Sequence, residues 1–133
     1  MPLPIKVVAI VQQRLESTRL PFKALLPLAG KPMTWHLLRR LKKSKLVNEV
    51  VLAIPDEKDK GMLIKLATEL DVPVFISNGI ASEDLLSRHA LAATRHEATI
   101  VVRVPGDNPC VQASEVDKII GLAQNRLFGW KLL

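Results

Sequence analysis

Four short, largely apolar runs are the feature that most constrains how this chain folds. They cover residues 5–11, 50–54, 74–76 and 99–104. None shows the strict alternation expected of a strand with one face in water. Largely apolar runs of this length are typical of parallel strands covered on both faces. We therefore expect four parallel strands at the centre of the molecule.

Apolar residues recur at helical spacing after each of these runs. The four stripes begin at Met33, Leu63, Leu86 and Val116. Pro32 precedes the first stripe, and its fixed φ suits the first position of a helix. Ser114 lies just before the last stripe, and Asp117 follows it three residues later, which is the spacing of a capping box. We therefore expect these two residues to start that helix. Each predicted strand is thus followed by a predicted helix.

The alternation of strand and helix defines the fold class. With right-handed crossovers it predicts an α/β protein: an open, mostly parallel sheet with helices on both faces, Rossmann-like in arrangement. The length of 133 residues, of which 48% are hydrophobic, suits one compact domain over residues 1–133. We find no linker, repeat or low-complexity segment that would divide it.

Composition excludes several classes of protein. No apolar run is long enough to span a bilayer, so we expect no membrane association. Cys110 is the only cysteine, which excludes an internal disulfide and a cysteine-based metal site and favours the cytoplasm. The net charge of +6 favours anionic partners without distinguishing among nucleotides, nucleic acids and acidic membranes.

The long connection over residues 12–31 is the strongest candidate for a functional segment. It follows the first strand, and ligands of open α/β sheets bind outside the carboxyl ends of the strands. The connection contains one acidic residue, Glu16, and four cationic residues, Arg14, Arg19, Lys23 and Lys31. Arginine forks and lysine ammonium groups can hold a polyphosphate, although a solvated basic loop would have the same composition.

The order of residues in this segment resembles a known family. Residues 12–25 read Gln-x-Arg-x-x-Ser-Thr-Arg-Leu-Pro-x-Lys-x-Leu, and matching blocks follow at 28–33, 79–88 and 101–109. This order is similar to that of the acylneuraminate and 3-deoxy-manno-octulosonate cytidylyltransferases. Within that family it most resembles the spore coat polysaccharide biosynthesis group. The likeness runs from about residue 6 to residue 120.

The resemblance implies a nucleotide-diphospho-sugar transferase-like fold and a reaction in which CMP passes from CTP to an acidic sugar. Magnesium would be the cofactor, and the product would serve surface polysaccharide biosynthesis. The residues it implies are catalytic Arg14 and Lys23, nucleotide-binding Gln12, Gln13, Ser17, Arg19 and Ser82, and the metal ligand Asp107.

The resemblance also identifies three departures. Glycine is usual at the position of Phe22, and a small residue is usual at Leu15-Glu16. The family chain continues into a C-terminal half, absent from this sequence, that supplies the sugar pocket and usually the dimer contact. The expected partners are CTP and a sugar acceptor. Whether the chain forms a homodimer is left open.

Three alternatives stay open at this point. The nucleotide could be UTP or dTTP, or the domain could bind nucleotide without catalysis. A nucleic-acid-binding module would use the basic patch of the first helix, which comprises Arg39, Arg40, Lys42, Lys43 and Lys45. Such a patch is more often a solvated helix face, which argues against nucleic acid.

Overall fold

The computed structural model describes residues 4–16, 19–78 and 84–129. In chain order the elements are β1 (Val7–Gln12), β2 (Pro27–Leu28), β3 (Lys31–Pro32), α1 (Met33–Leu41), β4 (Glu49–Pro55), α2 (Gly61–Glu69), β5 (Val74–Ser77), α3 (Leu85–Arg95), β6 (Ile100–Pro105) and α4 (Ala113–Gly129). A single 3-10 turn, Lys23–Leu25, precedes β2. Among these described segments no helix combines the length and the apolar character needed to cross a bilayer.

The four apolar runs form one parallel sheet, which confirms the predicted fold class. Its strand order is β5-β4-β1-β6. The central strand β1 pairs in parallel with both β4 and β6, and Gln12 at its end lies opposite Ala53 and Pro105. Since all strands point the same way, their carboxyl ends meet along one edge of the sheet.

Helices cover both faces, as the fold class requires. One buried cluster joins the sheet to α1, α2 and α4, with Leu41, Leu63 and Ile120 at its centre. The smaller cluster on the opposite face packs Ala92 of α3 against β1 and β4. From β1 the chain winds outward through β4 and β5 and then crosses to β6 on the other side of β1. The sheet therefore has its topological switch point between β1 and β6.

The long connection after β1 carries minor structure of its own. Strands β2 and β3 form a small antiparallel hairpin. Its turn residues Ala29 and Gly30 both have positive φ, at 50° and 82°. Pro32 ends β3 and occupies the N-cap position of α1, with φ −57° and ψ 147°. The prediction that Pro32 is the first helical residue is therefore wrong by one position, because its extended ψ still belongs to the hairpin.

Asp117 does not form the predicted capping box with Ser114. Helix α4 already begins at Ala113, so Ser114 lies inside it. The Asp117 carboxylate instead accepts hydrogen bonds from the Ser44 hydroxyl and from the backbone N–H of Lys45 and Leu46, the latter two at 3.1 Å. This carboxylate thus anchors the loop after α1 to α4, a non-local contact that competes successfully with the local cap.

The same contacts predict a pH-dependent contribution to stability. The hydrogen bond from the Ser44 hydroxyl, together with those from the backbone, lowers the pKa of Asp117 below its ordinary 3.8, against the opposing effect of desolvation. A depressed pKa stabilises the fold above the unfolded-state value, and that stabilisation is lost as pH falls through the folded-state pKa. We expect Asp117→Asn to lower the free energy of unfolding at neutral pH. Urea denaturation should show the difference from wild type shrinking below about pH 4; a difference that stays constant would contradict this account.

The basic patch of α1 is partly engaged within the molecule. The Lys42 ammonium donates to the carbonyls of Leu70 and Asp71 at 2.5 and 3.3 Å, just past the end of α2. The Arg39 guanidinium lies over the Trp35 ring, 5.1 Å from its centroid. These contacts favour a structural role for part of the patch.

Candidate functional site

A cleft of about 390 Å³ opens at the switch point of the sheet, outside the carboxyl ends of β1 and β6. Its polar lining comprises Gln12, Gln13, Arg14, Lys23, Arg103 and Asp107. Open α/β sheets bind their ligands at this position. The cleft has three cations and one carboxylate, so it is suited to an anion.

Five of the residues predicted from the sequence meet in this cleft. Gln12 ends β1, and Gln13 and Arg14 follow it directly, whereas Lys23 opens the 3-10 turn and Asp107 lies in the turn after β6. Arg19 is exposed and is not among the residues that line the cleft. Ser17 and Ser82 lie outside the described residues. Segments some 80 residues apart in sequence thus converge on one surface.

A buried carboxylate holds the segment that carries Arg14. Glu57, only 8% exposed, follows β4. Its two oxygens accept hydrogen bonds from the backbone N–H of Leu15 at 2.8 Å and of Glu16 at 3.1 Å. The Leu15 side chain is itself buried in the core. Sequence reasoning missed Glu57, because it lies in an ordinary polar stretch about 40 residues from the loop that it holds.

We expect Glu57→Gln to destabilise the protein by about 2–3 kcal/mol, since an amide offers one acceptor oxygen where the carboxylate offers two and turns an N–H toward a backbone N–H. Urea denaturation at neutral pH measures this loss. Glu69→Gln on the exposed surface of α2 is the matched control and should change the free energy of unfolding by less than about 0.5 kcal/mol. Equal effects of the two substitutions would show that Glu57 does not hold the loop.

A second buried charged group near Glu57 is Arg88 of α3. Its side chain is fully buried, and its Nε donates to the Ser77 hydroxyl at 2.8 Å. Burial lowers the pKa of Arg88, while the negative charge of Glu57 acts in the opposite direction and the positive charge of Arg14 adds to the lowering. Arg88 thus joins α3 to the end of β5 and senses the charges of Glu57 and Arg14.

The backbone turns sharply where Lys23 enters the cleft. Phe22 adopts a left-handed conformation, with φ 59° and ψ 24°. Its N–H donates to the carbonyl of Leu15 at 2.8 Å, which closes the loop at its base. A left-handed conformation costs a residue with a side chain about 1–2 kcal/mol. Glycine, the residue that the family resemblance gives for this position, would adopt it without that cost.

Gly106 forms the wall of the cleft by close backbone approach. A Cβ atom at this position would lie 2.2 Å from the carbonyl oxygen of Gln12 and 2.7 Å from Nε2 of Gln13. The same Nε2 donates to the Gly106 carbonyl at 2.7 Å. Arg103, on β6 just before this turn, was not predicted as a site residue. Its place in the block at 101–109 was the only available signal.

The donor set suits a metal ion shared with a phosphate ligand. Within residues 4–16, 19–78 and 84–129, no three side chains of histidine, cysteine, aspartate or glutamate come close enough to hold an ion alone. Asp107 contributes one exposed carboxylate to the cleft. Mg²⁺ commonly takes one or two protein carboxylates and completes its shell with phosphate oxygens and water, so the residues present fit it.

An open parallel α/β sheet with a cationic cleft at its switch point is the Rossmann-like arrangement of the nucleotidyltransferase fold. A family model described as Cytidylyltransferase matches residues 8–128. The chain therefore belongs to the cytidylyltransferase family, which confirms the resemblance found in the sequence.

Similar proteins agree with this assignment. The chain is 34% identical over 116 residues to the 3-deoxy-manno-octulosonate cytidylyltransferase of Geobacter metallireducens, covering 87% of this chain and 44% of that protein. The structure of a cytidylyltransferase from Leptospira borgpetersenii serovar Hardjo-bovis superposes with a TM-score of 0.82 at 32% identity, covering 90% of this chain and 49% of that one. CMP:2-keto-3-deoxy-manno-octonic acid synthetase complexed with CTP gives a TM-score of 0.77 at 26% identity, with coverage of 93% and 48%. The chain thus spans about half the length of the relatives that it matches.

Proposed function

We propose that this chain binds CTP with magnesium and takes part in the transfer of CMP to the hydroxyl group of an acidic sugar. The observation that carries the proposal is that Arg14, Lys23 and Asp107 line one cleft at the switch point of a cytidylyltransferase-family fold. The names of the similar proteins support CTP as the nucleotide and a 3-deoxy-manno-octulosonate-type sugar as the acceptor. Surface polysaccharide biosynthesis is the process that such a product would serve.

Arg14 and Lys23 have the catalytic roles in this proposal. The oxygen of the sugar hydroxyl attacks the α-phosphorus of CTP and loses its proton to solvent, the bond from that phosphorus to the oxygen bridging to the β-phosphorus breaks, and pyrophosphate leaves with that oxygen. Arg14 can hold two phosphate oxygens with its planar fork, and Lys23 adds a point charge. Both cations stabilise the negative charge that develops on the leaving pyrophosphate. Asp107 would hold Mg²⁺, which when bound neutralises phosphate charge.

The remaining contacts follow from the positions of the cleft residues. Gln12 is half-buried at the end of β1, and we expect its amide to contact the cytosine. Gln13 lines the same wall. Ser17, Arg19 and Ser82 complete the nucleotide contacts in the proposal. Arg103 adds a third cation and could hold either a phosphate or the carboxylate of an acidic sugar.

The test is a thermal-shift and calorimetric titration of the chain with CTP, UTP, ATP and GTP, each with and without magnesium. A ligand at 100 times its dissociation constant stabilises the native state by about 2.7 kcal/mol. We expect the largest stabilisation with CTP and magnesium together. A preference for UTP would move the assignment to another sugar nucleotidyltransferase, and the absence of any shift would contradict nucleotide binding.

The metal role of Asp107 has its own expected result. In Asp107→Asn the gain in CTP affinity on adding magnesium should fall by about tenfold or more, because the amide is a much weaker ligand for a hard cation. Asp59→Asn, at an exposed aspartate before α2, is the matched control. Calorimetric titrations of CTP with and without magnesium measure the effect. A magnesium response equal to that of the wild type would remove Asp107 from the site.

A further inference from the structure

We propose that Thr34 is a positioning residue for the phosphate-binding cation Lys23. The inference rests on the proposed function and adds to it a residue that the sequence motifs leave out. Thr34 lies in the first turn of α1 and is completely buried. It does not line the cleft, so any effect on the ligand must pass through its neighbours.

Thr34 joins two hydrogen bonds into a relay. Its hydroxyl accepts from Nε2 of Gln13 at 3.0 Å and donates to the carbonyl of Ala24 at 2.9 Å. The second hydrogen of the Gln13 amide goes to the carbonyl of Gly106 at 2.7 Å. This relay, defined as Gly106–Gln13–Thr34–Ala24, connects the ends of β1 and β6 to α1 and to the 3-10 turn.

The chemistry of the three groups fixes the direction of the relay. A carbonyl oxygen can only accept, so the single hydroxyl hydrogen of Thr34 must point at Ala24. The lone pairs of that hydroxyl then face the Gln13 amide, whose two hydrogens are both used. Ala24 is buried as well, so water does not compete for the bond between the Thr34 hydroxyl and the Ala24 carbonyl.

The relay ends at Ala24, next to Lys23, the proposed phosphate-binding cation. Ala24 directly follows Lys23 in the 3-10 turn, and the Lys23 side chain leaves that turn into the cleft. Holding the Ala24 carbonyl therefore fixes the backbone from which the ammonium group is presented. The family motif leaves position 13 open and does not include position 34. The relay is thus a property of these two side chains of this protein.

The test compares Thr34→Val with Thr34→Ser by calorimetric titration with CTP and magnesium, well below the unfolding temperature. Valine keeps the shape and removes the hydroxyl, whereas serine keeps the hydroxyl. Because the buried Ala24 carbonyl loses its donor and the part-buried Gln13 amide loses an acceptor, we expect Thr34→Val to weaken CTP binding about tenfold and Thr34→Ser to stay within about threefold of wild type. Thr68→Val is the control, since its hydroxyl donates to the Ile64 carbonyl at 2.8 Å on the exposed side of α2.

A double-mutant cycle separates positioning from a general loss of structure. If Thr34 acts through Lys23, adding Thr34→Val to Lys23→Ala should weaken the residual CTP binding by less than about twofold. A merely structural role would reduce affinity by the same factor in both backgrounds, and that result would overturn the inference. Equal affinities of Thr34→Val and wild type would overturn it too.

Amide hydrogen exchange tests the relay without any nucleotide. The N–H groups of Leu25 and Leu26 donate to the carbonyls of Phe22 and Lys23 at 2.9 and 3.1 Å, so they report on the 3-10 turn. We expect both amides to exchange faster in Thr34→Val than in Thr34→Ser or Thr68→Val. Unchanged exchange would overturn the relay whatever the titrations show. Wild-type protein that binds no CTP would instead overturn the proposed function.

Discussion

Lys23→Ala is expected to weaken CTP binding by about 100-fold, since truncating one partner of a close charge pair costs about 2–5 kcal/mol. Lys23 lines the cleft together with Arg14 and Arg103, and its truncation removes one of these three cations from the proposed phosphate site. No core residue changes, so the free energy of unfolding should stay within about 0.5 kcal/mol of wild type. Calorimetric titration with CTP and magnesium measures the affinity, and urea denaturation measures the stability.

The matched control for Lys23→Ala is Lys65→Ala. Lys65 is an exposed lysine of α2, far along the chain from the cleft residues, and its removal changes the net charge by the same amount. If both substitutions weakened CTP binding equally, the effect would come from overall charge and not from the cleft. Retention of full affinity in Lys23→Ala would contradict the assignment of the phosphate site.

Gly106→Ala is expected to destabilise the protein by about 3 kcal/mol, at the upper end of the cost of inserting a methyl group into a packed region. The new Cβ would lie 2.2 Å from the backbone oxygen of Gln12, a residue that pairs with Ala53 of β4 on one side and with Pro105 of β6 on the other. Backbone held on both sides cannot move away without breaking part of the sheet. Urea denaturation followed by circular dichroism measures the loss, and a variant that does not fold at all agrees with the same reason.

Gly121→Ala provides the opposite result on the same assay. Apart from its chain neighbours and the backbone of its own helix, no described heavy atom lies within 4 Å of a Cβ at position 121, which is in the middle of α4. Alanine in a helix interior is more favourable than glycine by about 0.5–1 kcal/mol, so this variant should gain stability. A Gly106→Ala variant as stable as Gly121→Ala would show that the ends of β1 and β6 are not packed as closely as described.

The sheet was predictable because a short stretch of sequence is enough to show that a strand is buried on both faces. Largely apolar runs mark strands covered on both faces, and they predicted β1, β4, β5 and β6 within about two residues at each end. The position of the cleft was predictable for a related reason. Parallel strands bring their carboxyl ends together, so polar residues that follow β1 and β6 must meet.

The contacts that support the site were not predictable, because they join residues distant in the chain and no periodic pattern marks them. Glu57 binds the backbone of Leu15 and Glu16, and the identity of those two residues has no part in the bond. Asp117 shows the opposite failure, since a good local motif was present and a distant loop took the carboxylate. A carboxylate such as that of Glu57 or Asp117 can accept hydrogen bonds from several groups. Which of them it contacts depends on the tertiary structure.

The backbone hydrogen bond between Leu15 and Phe22 has a consequence for how this protein can vary. It closes a ring of chain, and Arg14 and Lys23 lie immediately outside the two ends of that ring. Eight residues separate the two cations in the chain, yet this hydrogen bond brings the ends of the ring together and so holds the backbone of Arg14 close to that of Lys23. One backbone hydrogen bond thus couples the positions of the two cations, and a change that broke it would alter both at once.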